Sequence, residues 1–265
     1  MRLEFLIWPG AQKVFRYARM LRCNTMWLSL LIPTLERRRA QFDNLTRELN
    51  RQIREGGWSS QVEILGLADA GENSIGWKRN ELMRHAGGLF VAFIDDDDLV
   101  SGDYVSRICR IIERNPEIDC IGIRGSITFR DGKQCEFIHS TRYTDYFSRS
   151  HAYYRPPYHL NPIRREIALR YPFANVSYSE DIDYALRLRD DGALRNEVFI
   201  DALLYHYRCR RPWAYQWLLD VTEPVRHKFG IRWSNRLRFA KPAHPAAAAP
   251  PSESGIRSQC RLITG

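Results

Sequence analysis

The stretch from Leu89 to Asp103 constrains the fold of this chain most, because six apolar residues run directly into four consecutive aspartates at positions 95–98. An apolar run of this length, rich in β-branched and aromatic residues, is typical of a buried strand in a parallel sheet. We expect the strand to stop at a water-facing edge where the aspartates begin. In open α/β sheets, ligands bind outside the carboxyl ends of the strands. The stretch therefore predicts a ligand site.

The four aspartates also predict the chemistry of that site. Adjacent carboxylates repel one another, and no basic residue follows within the next few positions to neutralise them. A divalent cation, which prefers oxygen ligands, is the natural counter-charge. The pattern alone leaves two interpretations open, a metal site or a solvated acidic loop.

Composition bounds the class of protein and the charge of its partners. The chain has 265 residues, of which 44% are hydrophobic, so it can hold one large domain or two small ones with a sizeable core. Forty Lys and Arg against 31 Asp and Glu leave a net charge of +9. Such a surface attracts anions, including nucleotides, polyphosphates, acidic lipid headgroups and nucleic acid.

The cysteines and the apolar runs predict a location. No C-x-x-C pair is present, and we expect free thiols in a reducing cytosol. The first apolar run is too short for a signal peptide, and no later run approaches the roughly 18 residues of a membrane span. We therefore predict a cytoplasmic protein. The six cysteines are Cys23, Cys109, Cys120, Cys135, Cys209 and Cys260.

The order of apolar patterns predicts parallel βαβ units. A strand at 27–34 is followed by an amphipathic helix through 42–53, a strand at 62–69, a second helix opening at 73–83 and the strand at 89–94. Right-handed crossovers would place the carboxyl ends of all three strands on one edge of one sheet. We predict a single α/β domain with a Rossmann-like, mostly parallel sheet and helices on both faces.

The second half of the chain continues this alternation. We predict a helix near 105–112, a hairpin from 120 to 139, a short helix at 163–170, a helix that begins after a capping serine in 177–179, and a strand from 197 that ends before His206. The aromatic and basic stretch 140–162 is interpreted either as a flexible loop that covers a substrate or as an ordered loop with tyrosines on its surface.

The ends of the chain differ in composition from its middle. Residues 1–25 are basic without a clear period and are predicted to be an N-terminal extension. Residues 26–240 are predicted to form the domain, and residues 241–265, rich in Pro and Ala at their start, a disordered tail.

These motifs, in this order, resemble those of family 2 glycosyltransferases. The resemblance covers about residues 26–210 and implies the GT-A fold, in which one nucleotide-binding α/β domain transfers a sugar from a nucleotide diphosphate sugar with inversion at the anomeric carbon. The motifs that carry it are Ile32-Pro33-Thr34, Asp69, Gly76-Trp77-Lys78-Arg79-Asn80, Phe93-Ile94 with the four aspartates, Ser179-Glu180-Asp181 and His206.

The resemblance implies a role for the aspartates as the family's D-x-D motif. Asp95 matches the acid near the ribose, and Asp97 matches the acid that binds Mg²⁺ or Mn²⁺ at the diphosphate. Because four aspartates are adjacent, Asp96 or Asp98 could be the metal ligand instead of Asp97. Asp96 is also predicted to contact the nucleotide sugar. The other implied contacts to the donor are Pro33, Thr34 and Glu36 around the nucleoside, Asp69 on the base, and Lys78 and Arg79 near the base or the phosphates.

The remaining matches concern the acceptor. Asp181 matches the general base, with Glu180 beside it, and His206 matches a residue that approaches the metal or the diphosphate. His159 and Asn161 lie where acceptor-side groups are expected. Each also has a structural interpretation, since acids favour a first helical turn, Asn-Pro is turn chemistry, and a lone histidine at a strand end is often structural.

Transfer of a sugar from a nucleotide diphosphate sugar needs two separate acidic groups, independently of the family resemblance. A hard cation held by carboxylates stabilises the departing diphosphate, while a second carboxylate takes the proton of the acceptor hydroxyl on the opposite face of the sugar. The acids at 180–181 are the second group, and a helix N-terminus would keep Asp181 ionised. The biological setting implied by the resemblance is the synthesis of cell-surface polysaccharide, lipopolysaccharide or another glycan, with a glycan or lipid-linked acceptor.

Other functions compete with this one. A metal-dependent nucleotidyltransferase would also place aspartates at a strand end but would release pyrophosphate. A non-catalytic basic domain that binds nucleotides or nucleic acid is disfavoured, because the arginines are spread out and the most organised feature is acidic. No nucleic-acid partner is expected. The arginine- and tryptophan-containing segment from 208 to 239 predicts either peripheral contact with an anionic membrane or a helix over the acceptor side.

Overall fold

The computed structural model describes residues 26–149 and 152–213, together with the backbone of 261–264. One short 3₁₀ helix, Glu36–Arg38, follows the first strand. The helices are α1 (Arg39–Gly56), α2 (Ile75–His85), α3 (Tyr104–Arg114), α4 (Arg165–Ala168) and α5 (Glu180–Asp190). The strands are β1 (Leu28–Leu35), β2 (Val62–Asp69), β3 (Phe90–Phe93), β4 (Leu99–Val100), β5 (Cys120–Phe129), β6 (Gln134–His139), β7 (Phe147–Arg149), β8 (Ala152–Arg155), β9 (Ile163–Arg164), β10 (Glu197–Cys209) and β11 (Arg261–Thr264).

All the strands join one mixed sheet. Its order is β11-β2-β1-β3-β9-β5-β6-β8-β7, and β10 pairs with both β5 and β4. β1 runs parallel to β2 and β3, and β10 runs parallel to β5. Because β9 is antiparallel to both β3 and β5, those two strands point the same way. The predicted α/β class, with a central set of parallel strands, is confirmed.

Helices cover both faces of the sheet, as predicted. Leu28 and Leu30 of β1 lie in the core cluster that contains the apolar residues of α1 and α3, whereas Leu31 lies in a second cluster with residues of α2 and α5. All three leucines are fully buried. Alternate side chains of a strand point to opposite faces of the sheet. Because β1 is covered on both faces, its consecutive residues are apolar.

The predicted amphipathic helix corresponds to α1. Phe42, Leu45, Leu49 and Ile53, which recur at spacings of three and four, are all buried against the sheet. The helix ends at Gly57, which has a φ of 74° and donates its N–H to the carbonyl groups of the last turn. This left-handed conformation favours glycine, so the Gly-Gly pair ends the helix for the expected reason.

The N-terminus of α2 is enclosed by the segment 174–177. Ser74 caps the helix by accepting a hydrogen bond from the Trp77 N–H at 3.0 Å. The Gly76 N–H donates to the Val176 carbonyl at 3.1 Å. A Cβ at position 76 would overlap the carbonyl oxygen of Ala174. The helix start is therefore used for packing within the chain.

We expect Gly76→Ala to lower the free energy of unfolding by about 1–3 kcal/mol, because the added methyl must push the Ala174 carbonyl away from the helix. Chemical denaturation measures this loss. Gly102→Ala is the matched control, since the nearest atom outside its neighbours is 3.8 Å from the added Cβ. Equal stability of the two variants would contradict the close approach at Gly76.

The stretch 140–162 is more ordered than a substrate-covering loop. It contains β7 and β8, and Tyr153 and Tyr158 are buried in the core. The interpretation as an ordered loop with tyrosines on its surface therefore holds only in part, because Tyr153 and Tyr158 supply core area, and the role of a substrate cover stays a prediction. The short helix predicted at 163–170 is limited to Arg165–Ala168, and the last predicted strand extends to Cys209.

The predicted ends of the domain lie largely outside the described residues. This applies to the extension at 1–25, to the domain end near 240 and to most of the tail at 241–265. Within the tail, Arg261–Thr264 pairs with β2 in antiparallel fashion. In the part of the chain described, no helix has the length and apolar character needed to cross a bilayer. Cys109, Cys120, Cys135 and Cys209 are buried free thiols, as expected.

Candidate active site

The carboxyl ends of the first three strands meet at one edge of the sheet, as predicted. β1 and β2 end side by side, with Leu35 in register with Asp69. The Ile94 N–H, just after β3, donates to the Leu31 carbonyl of β1 at 3.0 Å. The four aspartates at 95–98 therefore emerge next to the ends of β1 and β2.

The four aspartates divide into two inward and two outward side chains. Asp96 and Asp98 are 2% exposed, whereas the Asp95 and Asp97 side chains are 32% and 27% exposed. The predicted water-facing edge therefore holds for Asp95 and Asp97, whereas the turn after β3 points Asp96 and Asp98 inward. The exposed pair coincides with the two positions matched to the D-x-D motif.

Arginines from distant parts of the chain neutralise the aspartates. Arg38 donates to Asp96 Oδ1 at 2.6 Å and to Asp97 Oδ2 at 2.8 Å. Arg210 donates to the same Asp97 oxygen at 2.7 Å, and Arg208 Nε donates to the Asp97 carbonyl at 2.6 Å. The inference that the acids lack a basic partner considered only sequence neighbours. The sequence contained one indication of these contacts, because the arginines follow the strands that were predicted to end at Thr34 and before His206.

The two inward aspartates hold the turn together. Asp96 accepts a hydrogen bond from Thr34 Oγ1 at 2.5 Å, and burial raises the pKa of Asp96. Asp98 accepts bonds from the Tyr205 hydroxyl and the Arg208 N–H, each at 2.8 Å. Burial and the nearby Asp95 charge raise the pKa of Asp98 to about 8. Asp96 is thus enclosed and supports the turn, and its contact with the nucleotide sugar stays a prediction.

Asp69 is also enclosed. Its carboxylate pairs with Lys78 and accepts hydrogen bonds from the Gly71 and Asn73 N–H groups at 3.1 and 3.0 Å. Lys78 Nζ also donates to the Thr34 carbonyl at 2.7 Å. Burial alone would raise the pKa of Asp69, but the bonds from Lys78 and Asn73 outweigh it and hold the pKa below its usual range. Asp69 and Lys78 therefore fix the loop after β2, and their contacts with a nucleotide stay predictions.

The other residues predicted to line the nucleoside lie at the end of β1. Pro33 is in register with Leu67 of β2, and Thr34 is buried. Glu36 begins the 3₁₀ helix and is exposed. Glu36 is the member of this group whose side chain is open to solvent.

Arg79 connects the aspartates to the start of α5. It donates to Glu180 Oε1 at 2.7 Å and to Asp95 Oδ1 at 3.3 Å. The guanidinium also contacts the rings of Phe93 and Phe173, at 5.6 and 5.4 Å from their centroids. Arg79 is buried and bonded to two carboxylates, so it bridges the end of β3 and α5, and its contact with the donor phosphates stays a prediction.

Glu180 and Asp181 have different environments although they are adjacent. Glu180 is 5% exposed and paired with Arg79, and burial raises its pKa. The Asp181 side chain is 28% exposed. A base that receives a proton from a bound acceptor must be reachable, so the exposure of the two side chains favours Asp181 over Glu180, and both catalytic assignments stay predictions.

The start of α5 differs from the expected serine cap. Ser179 has a φ of 65°, and its side chain makes no capping hydrogen bond. Ser177 instead accepts a hydrogen bond from the Ile75 N–H at 3.3 Å, so it supports α2. A positive φ at a non-glycine residue carries a conformational cost, and the Ser179 carbonyl in this conformation accepts the Asp183 N–H at 3.1 Å.

His159 brings the two groups of acids together. Its Nε2 lies 3.7 Å from Asp95 Oδ2, and its Nδ1 lies 3.7 Å from Asp181 Oδ2. The imidazole is buried, neither ring nitrogen has a hydrogen-bond partner, and burial together with the Arg79 charge lowers its pKa. The imidazole thus stands between Asp95 and the predicted base.

The two remaining predicted residues have clear local partners. His206 of β10 has its Nδ1 2.7 Å from Ser126 Oγ. Asn161 is 1% exposed, accepts from the Tyr158 N–H at 3.1 Å and donates to the Ile121 carbonyl at 2.9 Å. The Asn161 amide holds the chain between β8 and β9, and its acceptor-side role stays a prediction.

The donor set at Asp97 is compatible with a divalent cation shared with a substrate. Arg38 and Arg210 both bond to Oδ2, and within the described residues Oδ1 of Asp97 and Nε2 of His206 have no hydrogen-bond partner. No group of three or more His, Cys, Asp or Glu side chains is arranged for a metal in those same residues. Mg²⁺ commonly uses one or two carboxylates with substrate phosphates, so a single open carboxylate fits that mode.

Residues 45–168 match the family model described as Glycosyl transferase family 2. No curated protein matches the chain. Among solved structures, TarS residues 1–349 from S. aureus are 15% identical, with a TM-score of 0.47, over 69% of this chain and 60% of that one. The same protein in complex with UDP gives 15% identity, the same coverage and a TM-score of 0.48. This chain thus spans about three fifths of the length of those structures.

Proposed function

Since residues 45–168 place this chain in glycosyltransferase family 2, we propose that it transfers a sugar from a nucleotide diphosphate sugar to an acceptor hydroxyl with inversion of configuration. The α/β sheet with helices on both faces is the fold expected for such an enzyme. The acceptor is proposed to be a glycan or a lipid-linked glycan of the cell surface. A cytoplasmic location is supported by the four buried free thiols, and peripheral membrane contact stays part of the proposal.

One observation carries this proposal. Asp95 and Asp181 lie far apart in the sequence, yet one imidazole, that of His159, is 3.7 Å from a carboxylate oxygen of each. Asp95 is at the edge where parallel strands end, which is where nucleotides bind in open α/β sheets. Asp181 faces that edge from α5. A nucleotide sugar bound at this edge would therefore have the partly exposed carboxylate of Asp181 opposite it.

This arrangement supports a single displacement. The oxygen of the acceptor hydroxyl forms a bond to the anomeric carbon, while the bond from that carbon to the diphosphate oxygen breaks and its electron pair stays on the diphosphate. The hydroxyl proton passes to Asp181, which acts as general base. Arg79 and Glu180 hold the start of α5 against β3, so the base keeps its position relative to the donor edge.

A divalent cation, when bound, would neutralise charge on the departing diphosphate as a Lewis acid. We propose Asp97 as its protein ligand, with His206 as a candidate second ligand. Pro33, Thr34 and Glu36 are proposed to face the nucleoside at the end of β1. Asp69 already accepts hydrogen bonds from two N–H groups of its loop. We propose that it contacts the nucleotide base when an N–H group of that base replaces one of them.

Thermal unfolding with nucleotide sugars tests this function. UDP-, GDP-, dTDP- and CDP-sugars are each added with and without Mn²⁺, and we expect one of them to raise the unfolding midpoint in the presence of the metal. A ligand at a hundred times its Kd adds about 2.7 kcal/mol of stability. Asp97→Asn should abolish this shift. Asp43→Asn removes the same charge from an exposed ion pair on α1 and should retain it.

Product analysis with the donor identified in this way separates the two enzyme classes. Sugar transfer releases a nucleoside diphosphate, whereas nucleotidyl transfer releases pyrophosphate. Release of pyrophosphate, or the absence of any midpoint shift in a folded protein, would refute the proposed transferase.

A further inference from the structure

A second candidate site lies near Asp97, at the paired ends of β5 and β10. A surface cavity of about 490 Å³ opens there. It contains none of the residues proposed to contact the nucleotide sugar, the metal or the general base. The residues that line it are Thr128, Phe129, Arg130, Arg208, Cys209 and Arg210.

The strand register explains why arginines gather at this cavity. β5 and β10 run parallel, with Arg208 in register with Thr128 and Cys209 in register with Phe129. Phe129 and Cys209 are buried in the core cluster. Because side chains alternate along a strand, Arg208 of β10 points away from that core, and Arg210 follows directly after the strand. Arg208, Arg210 and Arg130, which follows β5, therefore line the same cavity.

Little negative charge is available to neutralise these arginines. Arg208 uses Nε on the Asp97 carbonyl, and Arg210 uses one Nη on the Asp97 carboxylate, which Arg38 shares. In the described part of the chain, the Arg130 guanidinium has no hydrogen-bond or ion-pair partner. Several N–H donors thus remain for an external anion, and guanidinium groups match the geometry of phosphate oxygens.

The position of the cavity separates it from the nucleoside edge. In the sheet, β2 and β1 lie on one side of β3, whereas β9, β5 and β10 lie on the other. Asp97 stands between the two halves, since it accepts from Arg38, which follows β1, and from Arg210, which follows β10. A phosphate bound in the cavity would lie on one side of Asp97, and the nucleoside of the donor would lie on the other.

The rim of the cavity is connected to the segment that precedes the proposed base. Arg211 donates to the Tyr178 hydroxyl at 2.7 Å, and Tyr178 lies three residues before Asp181. On the opposite side, Trp213 donates its N–H to Asp131 at 3.1 Å and stacks on Lys133 at 3.8 Å. The chain from 208 to 213 thus spans from the aspartates to the acceptor side of the site.

We propose that the cavity formed by Arg130, Arg208 and Arg210 binds a phosphate group of the acceptor substrate, separate from the donor diphosphate. The acceptor proposed here would carry a phosphomonoester or phosphodiester close to the hydroxyl that is glycosylated. The assignment to the acceptor rests on the proposed function, whereas anion binding by the cavity can be tested without it.

The test measures binding of glycerol 3-phosphate, a phosphomonoester without a nucleoside, by titration calorimetry in the presence of Mg²⁺. We expect the wild-type chain to bind it and Arg130→Gln to weaken binding at least about five-fold, since a charge-assisted hydrogen bond is lost. Arg130→Lys should show an intermediate loss. Arg110→Gln, which removes one exposed charge from α3, should change binding less than two-fold.

A second titration, repeated with saturating UDP, separates the two sources of phosphate. Unchanged affinity for glycerol 3-phosphate supports a separate acceptor subsite, whereas competition would show that the cavity holds the donor diphosphate and would overturn the proposal. Equal losses in Arg130→Gln and Arg110→Gln, or no binding by the wild type, would also overturn it. If UDP itself fails to bind while glycerol 3-phosphate does, the donor assignment fails and the anion site stands.

Discussion

Asp181→Asn is expected to lower the rate of sugar transfer by about 10²- to 10⁴-fold, the usual contribution of a positioned general base. The amide keeps the size of the side chain but cannot accept the proton of the acceptor hydroxyl. Donor binding should be unchanged, because Asp181 lies on the far side of His159 from Asp95. Release of nucleoside diphosphate measures the rate, and the thermal midpoint with donor measures binding.

Asp183→Asn is the matched control for this prediction. Asp183 lies in the same first turn of α5 and has the same charge, but it pairs with Arg187 on the surface. We expect its transfer rate to stay close to that of the wild type. A comparable loss in both variants would mean that the charge of the helix start matters, and that Asp181 has no specific role as base.

Arg79→Met is expected to lower the free energy of unfolding by about 3–5 kcal/mol, the cost of leaving a buried ionic partner unpaired. The Arg79 and Glu180 side chains are only 4% and 6% exposed, so water cannot replace the lost partner of Glu180. Methionine retains apolar contact with Phe93 and Phe173 and so separates the loss of charge from the loss of packing. Chemical denaturation gives the change.

The double variant Arg79→Met with Glu180→Gln tests the cause. If the unpaired Glu180 charge dominates, the second substitution should restore part of the stability lost in the first. Arg84→Met, on the same helix but in an exposed ion pair with Glu81, should leave stability nearly unchanged. No recovery in the double variant would show that Arg79 stabilises the chain through its packing or through Asp95.

The central parallel strands could be predicted from the sequence because each carries its own local signal. β1, β2 and β3 are apolar runs that end in Thr34-Leu35, Asp69 and the aspartates, and glycines follow α1 and precede β3. The stretch 140–162 had no such signal. Tyrosine is compatible with both a surface loop and a core, so the composition of this stretch does not distinguish them. In the structure, the pairing of β8 with β6 decides between the two.

The candidate site was predictable in outline but not in its electrostatics. Matching of motifs selected Asp95, Asp97 and Asp181, which the structure brings to one region. It could not show that Asp96 and Asp98 turn inward, since that depends on donors from Thr34 and Tyr205 at distant positions. Ion pairs such as Arg38 with Asp97 depend on proximity in space, which neighbouring sequence does not report.

The enclosed N-terminus of α2 also bears on how the molecule opens. The segment 174–177 is tied to α2 by the Gly76 and Ile75 N–H groups, and the Asn80 side chain bonds to the Phe173 backbone on the same side. Partial unfolding proceeds in cooperative units whose members lose protection together. We expect helix α2 and the residues leading to Asp181 to belong to one such unit. The proposed base should then keep its position relative to the donor edge for as long as α2 stays folded.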